Sequence, residues 1–171
     1  QPLPYYTHTR NVPQNLLILE NKDPFFSMRN HLLSGHTEIF NIETGTLIYG
    51  AGKGIIRSFQ DFDLCAEPYM KHPGNTILYF GDLDYEGIGI YENLAEKFKD
   101  RWKIIPFVPA YEAMLRKVRS VKTLPNTKAC QNRNISSEFF SYFDGQTSAV
   151  MKMILEADRY IPQEILNHGD F

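Results

Sequence analysis

The chain has 171 residues, of which 43% are hydrophobic and 22% are charged, so it is long enough and apolar enough to bury one globular core. This composition excludes a wholly disordered chain, and no apolar run approaches the roughly 20 residues of a membrane span. Cys65 and Cys130 lie far apart and form no CxxC motif, which argues against a disulfide scaffold and a cysteine zinc site. We therefore expect a cytoplasmic protein without membrane contact. Because the sequence begins with Gln1 rather than methionine, we also expect a fragment or a processed product.

Short apolar runs alternate with helix-forming stretches along the chain. Strands are predicted at residues 15–20, 46–49, 76–80 and 103–108. The last of them is expected at an edge of the sheet, because Pro106 has no backbone N–H to donate to a neighbouring strand. Helices are predicted at residues 24–33 with Asp23 as N-cap, 55–71, 85–100, 111–121, 137–143 and 147–160, with a polar loop at 123–136 and a final turn near 161–166. This order predicts an α/β fold: an open, mostly parallel four-stranded sheet with helices on both faces and C-terminal helices. Residues 1–14 are expected to be a linker before a single domain at 15–171.

Charge is distributed unevenly along the chain. Residues 97–133 carry ten of the 18 basic residues but only two of the 20 acidic residues. Such a basic segment is typical of a surface that meets phosphates, although a pair of solvated helix surfaces is an open alternative. The candidate nucleic-acid contacts in this segment are Arg116, Lys117, Arg119 and Lys122.

Three carboxylates follow two of the predicted strands. Glu20 ends the first strand, and Asp82 and Asp84 follow the third with their side chains on the same side of an extended segment. Ligands bind outside the carboxyl ends of strands in open parallel sheets, and converging carboxylates repel one another unless a cation compensates them. The pattern therefore predicts a site for Mg²⁺ or Mn²⁺, with Glu86 as a further candidate ligand. The structural alternative is that the aspartates are turn and N-cap residues and that Glu20 pairs with a lysine.

A glycine-rich loop at residues 50–54 follows the second predicted strand. It does not match the phosphate-binding GxxxxGK[ST] pattern, because Ala51 stands where that pattern has lysine. Lys53 is nevertheless a candidate to face a phosphate and to assist catalysis, with a plain turn as the alternative. Gly87 is expected to let the backbone approach that phosphate closely.

The arrangement of a first-strand glutamate and a third-strand DxD followed by glycine resembles the Toprim domain of topoisomerases, bacterial primases and several nucleases. The segments LENK at 19–22, YGAGKG at 49–54, YFGDLDYEGIGI at 79–90 and the tail IPQEIL at 161–166 are similar to the carboxy-terminal Toprim domain of the Wadjet defence nuclease subunit JetD, a branch related to the topoisomerase VI A subunit. The resemblance implies that Glu20, Asp82 and Asp84 bind Mg²⁺ and that the protein cleaves plasmid DNA. It also implies partner subunits of a condensin-like defence complex and a homodimer formed through missing or C-terminal parts.

Taken with this resemblance, the residues predict metal-assisted hydrolysis of a DNA phosphodiester, in which Glu20, Asp82, Asp84 and Lys53 are the candidate catalytic residues. Two alternatives stay open. A haloacid-dehalogenase-like phosphatase also places DxD after a strand, but it expects Thr or Val soon after the second aspartate, where this chain has Tyr85 and Glu86. A non-catalytic module that binds metal or nucleic acid within a larger assembly is the other.

Overall fold

A five-stranded sheet forms the centre of the structure, a computed structural model that describes residues 3–171. Residues 1 and 2, the start of the predicted linker, lie outside the described part. The strands are β1 (Tyr5–Thr7), β2 (Asn15–Leu19), β3 (Glu38–Ile39), β4 (Ile42–Glu43), β5 (Thr46–Tyr49), β6 (Thr76–Phe80) and β7 (Ile104–Pro106). The sheet has the order β1-β5-β2-β6-β7, in which β1 alone is antiparallel to its neighbour, while β3 and β4 form a separate ribbon. The predicted α/β class with a mostly parallel sheet is confirmed.

The sheet has one strand more than predicted. Strand β1 lies within the segment expected to be a linker and pairs with β5, which would otherwise be an edge strand. Its three residues are too few to show an alternating pattern, so only the pairing reveals it. The ribbon of β3 and β4 was also missed, because its turn residues Phe40 and Asn41 have positive φ values of 50° and 65° without any glycine.

Helices flank the sheet, and several differ in extent from the prediction. They are α1 (Lys22–Leu33), α2 (Gly54–Ser58), α3 (Phe62–Cys65), α4 (Tyr85–Lys97), α5 (Val108–Lys117) and α6 (Gly145–Glu156), with 3₁₀ turns at Phe59–Asp61, Pro68–Lys71, Val121–Thr123, Phe139–Tyr142 and Gln163–Ile165. No described helix combines the length and the apolar character needed to cross a bilayer. The single helix predicted at 55–71 is wrong, since Ala66 is extended and Pro68 starts a separate turn. Asn21 rather than Asp23 is the N-cap of α1, so that helix begins earlier than predicted.

The core lies on both faces of the sheet. Residues 16–19 of β2 are fully buried, as expected for the central strand of a parallel sheet covered on both sides. On one side, Tyr111 of α5 packs edge-on against Phe80 and against Phe139, with ring centroids 5.0 and 5.1 Å apart. The residues after α5 are therefore tied to the same core as the sheet.

The chain reverses its direction of winding between β2 and β6. From β2 it crosses to β5 on one side, and from β6 it crosses to β7 on the other, although β2 and β6 are neighbours. In open parallel sheets, such a switch point leaves a crevice outside the carboxyl ends of the two strands. Glu20 and Asp82 stand directly at this crevice.

Candidate active site

The carboxylates of Glu20 and Asp82 come together at the ends of β2 and β6. The backbone N–H of Glu20 donates to Phe80 O at 3.1 Å, which extends the pairing of the two strands by one residue. The backbone N–H of Asp82 then donates to Oε2 of Glu20 at 2.9 Å. Glu20, Asp82 and Asp84 expose only 9%, 5% and 2% of their surface. The predicted convergence of acids from two strands is thus present, in a buried setting.

Gly81 allows this close approach. A Cβ at position 81 would lie 2.3 Å from Oε2 of Glu20 and 2.8 Å from the hydroxyl of Tyr79, so a larger residue would displace these two side chains. The Gly81 N–H donates to the hydroxyl of Tyr111 at 2.9 Å, which anchors the loop to α5. The Tyr79 hydroxyl is buried, and within the described residues it neither donates nor accepts a hydrogen bond. Sequence reasoning assigned no role to either tyrosine.

Gln163 holds the two strand ends together from the C-terminal segment. Its backbone N–H donates to Oδ1 of Asp82 at 2.8 Å, and its Nε2 donates to Phe80 O at 2.7 Å. Its Oε1 accepts from the backbone N–H of Asn21 at 3.0 Å, and Asn21 Nδ2 also donates to Oδ1 of Asp82 at 2.9 Å. Gln163 is fully buried. No local signal marks it, and only the resemblance of its tail segment pointed to this part of the chain.

Asp84 has a different environment from the other two acids. It is the N-cap of α4, and its Oδ1 accepts from the backbone N–H of Gly87 at 2.6 Å. Its Oδ2 accepts from Nε2 of Gln131 at 3.0 Å. Gly87 is required because a Cβ there would lie 2.3 Å from the carbonyl oxygen of Asp82. Both carboxylate oxygens of Asp84 are therefore already bonded, as in the N-cap alternative.

Burial makes negative charge unfavourable in this cluster. Burial, followed by the charge of Asp82, raises the pKa of Glu20 from 4.5 to about 8, although the backbone N–H of Asp82 acts in the opposite direction. Burial likewise raises the pKa of Asp82 from 3.8 to about 6, partly offset by the hydrogen bond from the Gln163 backbone. The pKa of Asp84 is also raised, again first by burial. The positive charge of Lys128 acts in the opposite direction on the pKa values of Asp82 and Asp84, but burial outweighs it.

Two lysines approach the site from opposite segments. Lys53, in the glycine-rich loop, is exposed and lies 3.3 Å from Oε1 of Glu86. The same loop contacts the acidic site through the Gly52 N–H, which donates to the Glu20 carbonyl oxygen at 3.3 Å. Partial burial acts to lower the pKa of Lys128, but Tyr160 and the three carboxylates raise it, and the net shift is upward. Sequence reasoning counted Lys128 within the basic segment but gave it no role.

The other predicted nucleic-acid contacts lie elsewhere. Arg116 and Lys117 occupy the last turn of α5, beyond Tyr111, and Arg119 and Lys122 follow that helix. Lys117 is bonded to Asp170 at 2.8 Å. Among the described residues, no hydrogen bond or ion pair connects these four basic residues to the three carboxylates.

The acids fit a divalent cation only in part. Within residues 3–171, no three His, Cys, Asp or Glu side chains are placed so that they could hold a metal ion together. Oε1 of Glu20 and Oδ2 of Asp82, however, accept no hydrogen bond from this part of the chain. Mg²⁺ in enzymes often uses one or two carboxylates and completes its shell with water and substrate phosphate. Glu20 and Asp82 suit such a site, whereas Asp84 and Glu86 stay predicted ligands.

Two comparisons with known proteins find no match for this chain. No protein-family model matches it, and no curated protein matches it either. The acidic site at the switch point of a mostly parallel α/β sheet is therefore the basis for any functional conclusion.

Proposed function

We propose that this chain hydrolyses DNA phosphodiesters with a divalent metal ion, in a Toprim-like domain. The observation that carries the proposal is the presence of two buried acids, Glu20 and Asp82, at the switch point between β2 and β6, where the Asp82 backbone N–H donates to the Glu20 carboxylate and the charges of the two acids interact. Structural acids seldom occupy the carboxyl ends of two central strands, because their charge is costly to bury. Acids with raised pKa values in a crevice are instead typical of catalytic sites.

The strand order supports the Toprim-like assignment. The four parallel strands have the order β5-β2-β6-β7, with the glutamate after the first and the DxD after the third along the chain. The resemblance to the JetD branch rests on this placement of the three acids. Plasmid DNA as substrate, a condensin-like complex as partner and homodimerisation are the parts of the proposal that come from that resemblance.

Glu20 and Asp82 are the residues that would hold Mg²⁺ or Mn²⁺. When bound, the ion supplies positive charge that polarises the phosphodiester and lowers the pKa of a water molecule. The ionised Glu20, whose Oε1 is free of hydrogen bonds within the described residues, is able to take a proton from an attacking water if the glutamate is not a ligand. Lys53 and Lys128 add charge that favours the non-bridging phosphate oxygens. Asp84 and Gly87 fix the start of α4, whose N-terminus favours an anion.

The direct test is cleavage of circular plasmid in Mn²⁺ by the purified protein together with its partner subunits. We expect Glu20→Ala and Asp82→Ala to lower the rate at least about 100-fold, the scale at which lost acid-base or electrostatic groups act. Glu96→Ala is the matched control, because Glu96 is an exposed glutamate whose side chain, within residues 3–171, bonds only Lys99. Cleavage by both site variants at the wild-type rate would refute the proposal. Turnover of a phosphomonoester without DNA cleavage would instead favour the dehalogenase-like alternative.

The contribution of the two basic regions to DNA binding can be separated. Charge reversal of Arg116, Arg119 and Lys122 should weaken binding and reduce its dependence on salt concentration, because fewer counterions are released. Reversal of Lys53 and Lys128 should weaken binding and also lower the cleavage rate of bound DNA. If the first set leaves affinity at low salt unchanged, the basic residues at 116–122 are only part of a solvated surface.

Binding without hydrolysis is the second candidate function. It is favoured by the state of Asp84, whose two oxygens are bonded to Gly87 and Gln131, so that the predicted ligand set is incomplete. This candidate predicts metal and DNA binding that Glu20→Ala abolishes, but no turnover by the wild-type complex.

A further inference from the structure

A cavity of about 630 Å³ adjoins the acidic site, between the exposed side of α4 and the loop around residues 128–134. This volume falls within the roughly 300–1,000 Å³ typical of sites for small molecules. Gln131 lines the cavity and also bonds Asp84, so the cavity and the carboxylates share a wall.

Gly89 indicates that this space is kept open. It lies inside α4, where glycine costs up to about 1 kcal/mol relative to alanine. Unlike Gly87, it has no steric reason to be glycine, because a Cβ at position 89 would meet nothing within 4 Å. Gly89 lines the cavity. A side chain at this position would therefore extend into the empty volume, and its absence leaves room for a ligand.

The chemistry of the walls suits a nucleotide. The half-buried Ile56 supplies apolar surface for the face of a base, backed by the buried Tyr85 and Ile90. The guanidinium of Arg133 lies 5.0 Å from the centre of the Tyr85 ring and adds a planar group beside this wall. Asn93 and Asn132 add amide groups that can both donate to and accept from the edge of the base.

One acceptor in the wall has no partner. Oε1 of Gln131 is buried and accepts no hydrogen bond within the described residues, although Nε2 of the same side chain is bonded to Asp84. A buried carbonyl oxygen without a donor is costly, and an exocyclic amino group of a base would satisfy it.

Two lysines provide for the phosphate. Lys53 and Lys128 both line the cavity, as do Glu86 and Glu92. Lys53 is ion-paired with Glu86 at 3.3 Å, and the positive charge of Lys128 interacts with the charges of the three carboxylates of the acidic site. When the base of a nucleotide lies in the cavity, the phosphate of that nucleotide would therefore be directed toward the acidic site rather than away from it.

We propose that the cavity receives one unpaired nucleotide of the DNA strand, with its base between α4 and the 128–134 loop and its phosphate toward Lys128 and the carboxylates. The identification of the ligand as DNA rests on the proposed function. A paired base would bring its partner with it, and the cavity has room for one base only when it is unstacked from the duplex. The substrate class that follows is duplex DNA with a flipped or unpaired nucleotide beside the phosphodiester that is cut.

The test compares a DNA duplex that carries one bulged 2-aminopurine with the fully paired duplex and with free deoxynucleoside monophosphate. Binding is measured by fluorescence anisotropy in EDTA, which prevents cleavage, and 2-aminopurine emission reports the environment of the base. The variant is Gly89→Leu, which fills the cavity with a good helix former. The matched control is Gly145→Leu, because Gly145 also has nothing within 4 Å but lies at the start of α6, away from the cavity lining.

We expect the wild type to bind the bulged duplex about tenfold more tightly than the paired duplex, in line with the affinity that one stacked base provides. Gly89→Leu should lose this preference and keep its affinity for the paired duplex, while Gly145→Leu should match the wild type. Equal wild-type affinity for the two duplexes, or a preference that survives in Gly89→Leu, would overturn the inference. Free nucleotide that binds as tightly as the bulged duplex would overturn its assignment to a DNA strand.

The same proteins separate this inference from the proposed function. In one outcome, the wild type and Asp82→Ala both prefer the bulged duplex while no complex cleaves DNA in Mn²⁺. That result supports binding of a nucleotide in the cavity and refutes hydrolysis. Cleavage by the wild-type complex without any preference for the bulge supports hydrolysis and refutes the cavity.

Discussion

The ionisation of Glu20 sets a pH dependence for the stability of the metal-free protein. Its pKa is about 8 in the folded chain against an ordinary value of 4.5, because burial favours the neutral acid. Folding therefore favours the protonated form, and the stabilisation is complete below pH 4.5 and is lost as the pH rises through about 8. The slope approaches about 1.4 kcal/mol per pH unit between these values, so the loss is on the order of 5 kcal/mol. That is a large part of the roughly 5–15 kcal/mol of a typical domain.

Urea unfolding in EDTA between pH 5 and pH 9 measures this loss. Trp102 is the single tryptophan of the sequence. The centre of its ring lies 5.2 Å from the centre of the Phe62 ring in the core, so its fluorescence reports unfolding. We expect Glu20→Gln to be much less sensitive to pH than the wild type and to be more stable than it at pH 9, because the amide cannot ionise. The exposed control Glu96→Gln should keep the wild-type profile. If the wild type and Glu20→Gln lose stability in parallel above pH 6, the burial of this charge does not govern the site.

Three further substitutions probe how the site is held. Gln163→Ala should lower the free energy of unfolding by about 2–4 kcal/mol in a urea titration, because buried polar groups at both strand ends lose their partners; a loss below 0.5 kcal/mol, the scale of an ordinary surface change, would contradict this role. Asp84→Ala and Asp144→Ala each remove an N-cap worth about 1 kcal/mol, but only the former, which also bonds Gln131, should alter DNA cleavage. Gly87→Ala should destabilise by about 1–3 kcal/mol, since its Cβ would meet a carbonyl oxygen at 2.3 Å, whereas Gly89→Ala should be neutral or stabilising by thermal melting.

Local pattern was sufficient to predict the strands that carry the site. The apolar runs at Thr46–Tyr49 and Thr76–Phe80 are bounded by turn residues, and both strands have the predicted limits. The position of Glu20 and Asp82 after neighbouring strands followed from the general rule for open parallel sheets. The sequence was therefore sufficient to predict that Glu20 and Asp82 lie close together.

Contacts between distant parts of the chain were beyond the reach of local pattern. Gln163 bonds Asp82 across 81 residues, and Gln131 bonds Asp84 across 47 residues, and neither glutamine lies in a periodic segment that would mark it. The helix predicted at 55–71 failed for a related reason, since the stacking of Phe59 on Phe62, with ring centroids 4.5 Å apart, accompanies a break into short turns. Tertiary packing decided the backbone where propensity allowed more than one outcome.

The central claim is that Glu20 and Asp82 together hold a divalent cation at the switch point of the sheet. Mn²⁺ binding, followed by electron paramagnetic resonance of the free ion at pH 8.5, tests it most directly for the wild type, Glu20→Gln, Asp82→Asn and the exposed control Glu96→Gln. We predict one Mn²⁺ for the wild type and for the control, and at least about tenfold weaker binding for both site variants, because each loses a charged oxygen ligand. Wild-type Mn²⁺ affinity in both Glu20→Gln and Asp82→Asn would contradict the claim.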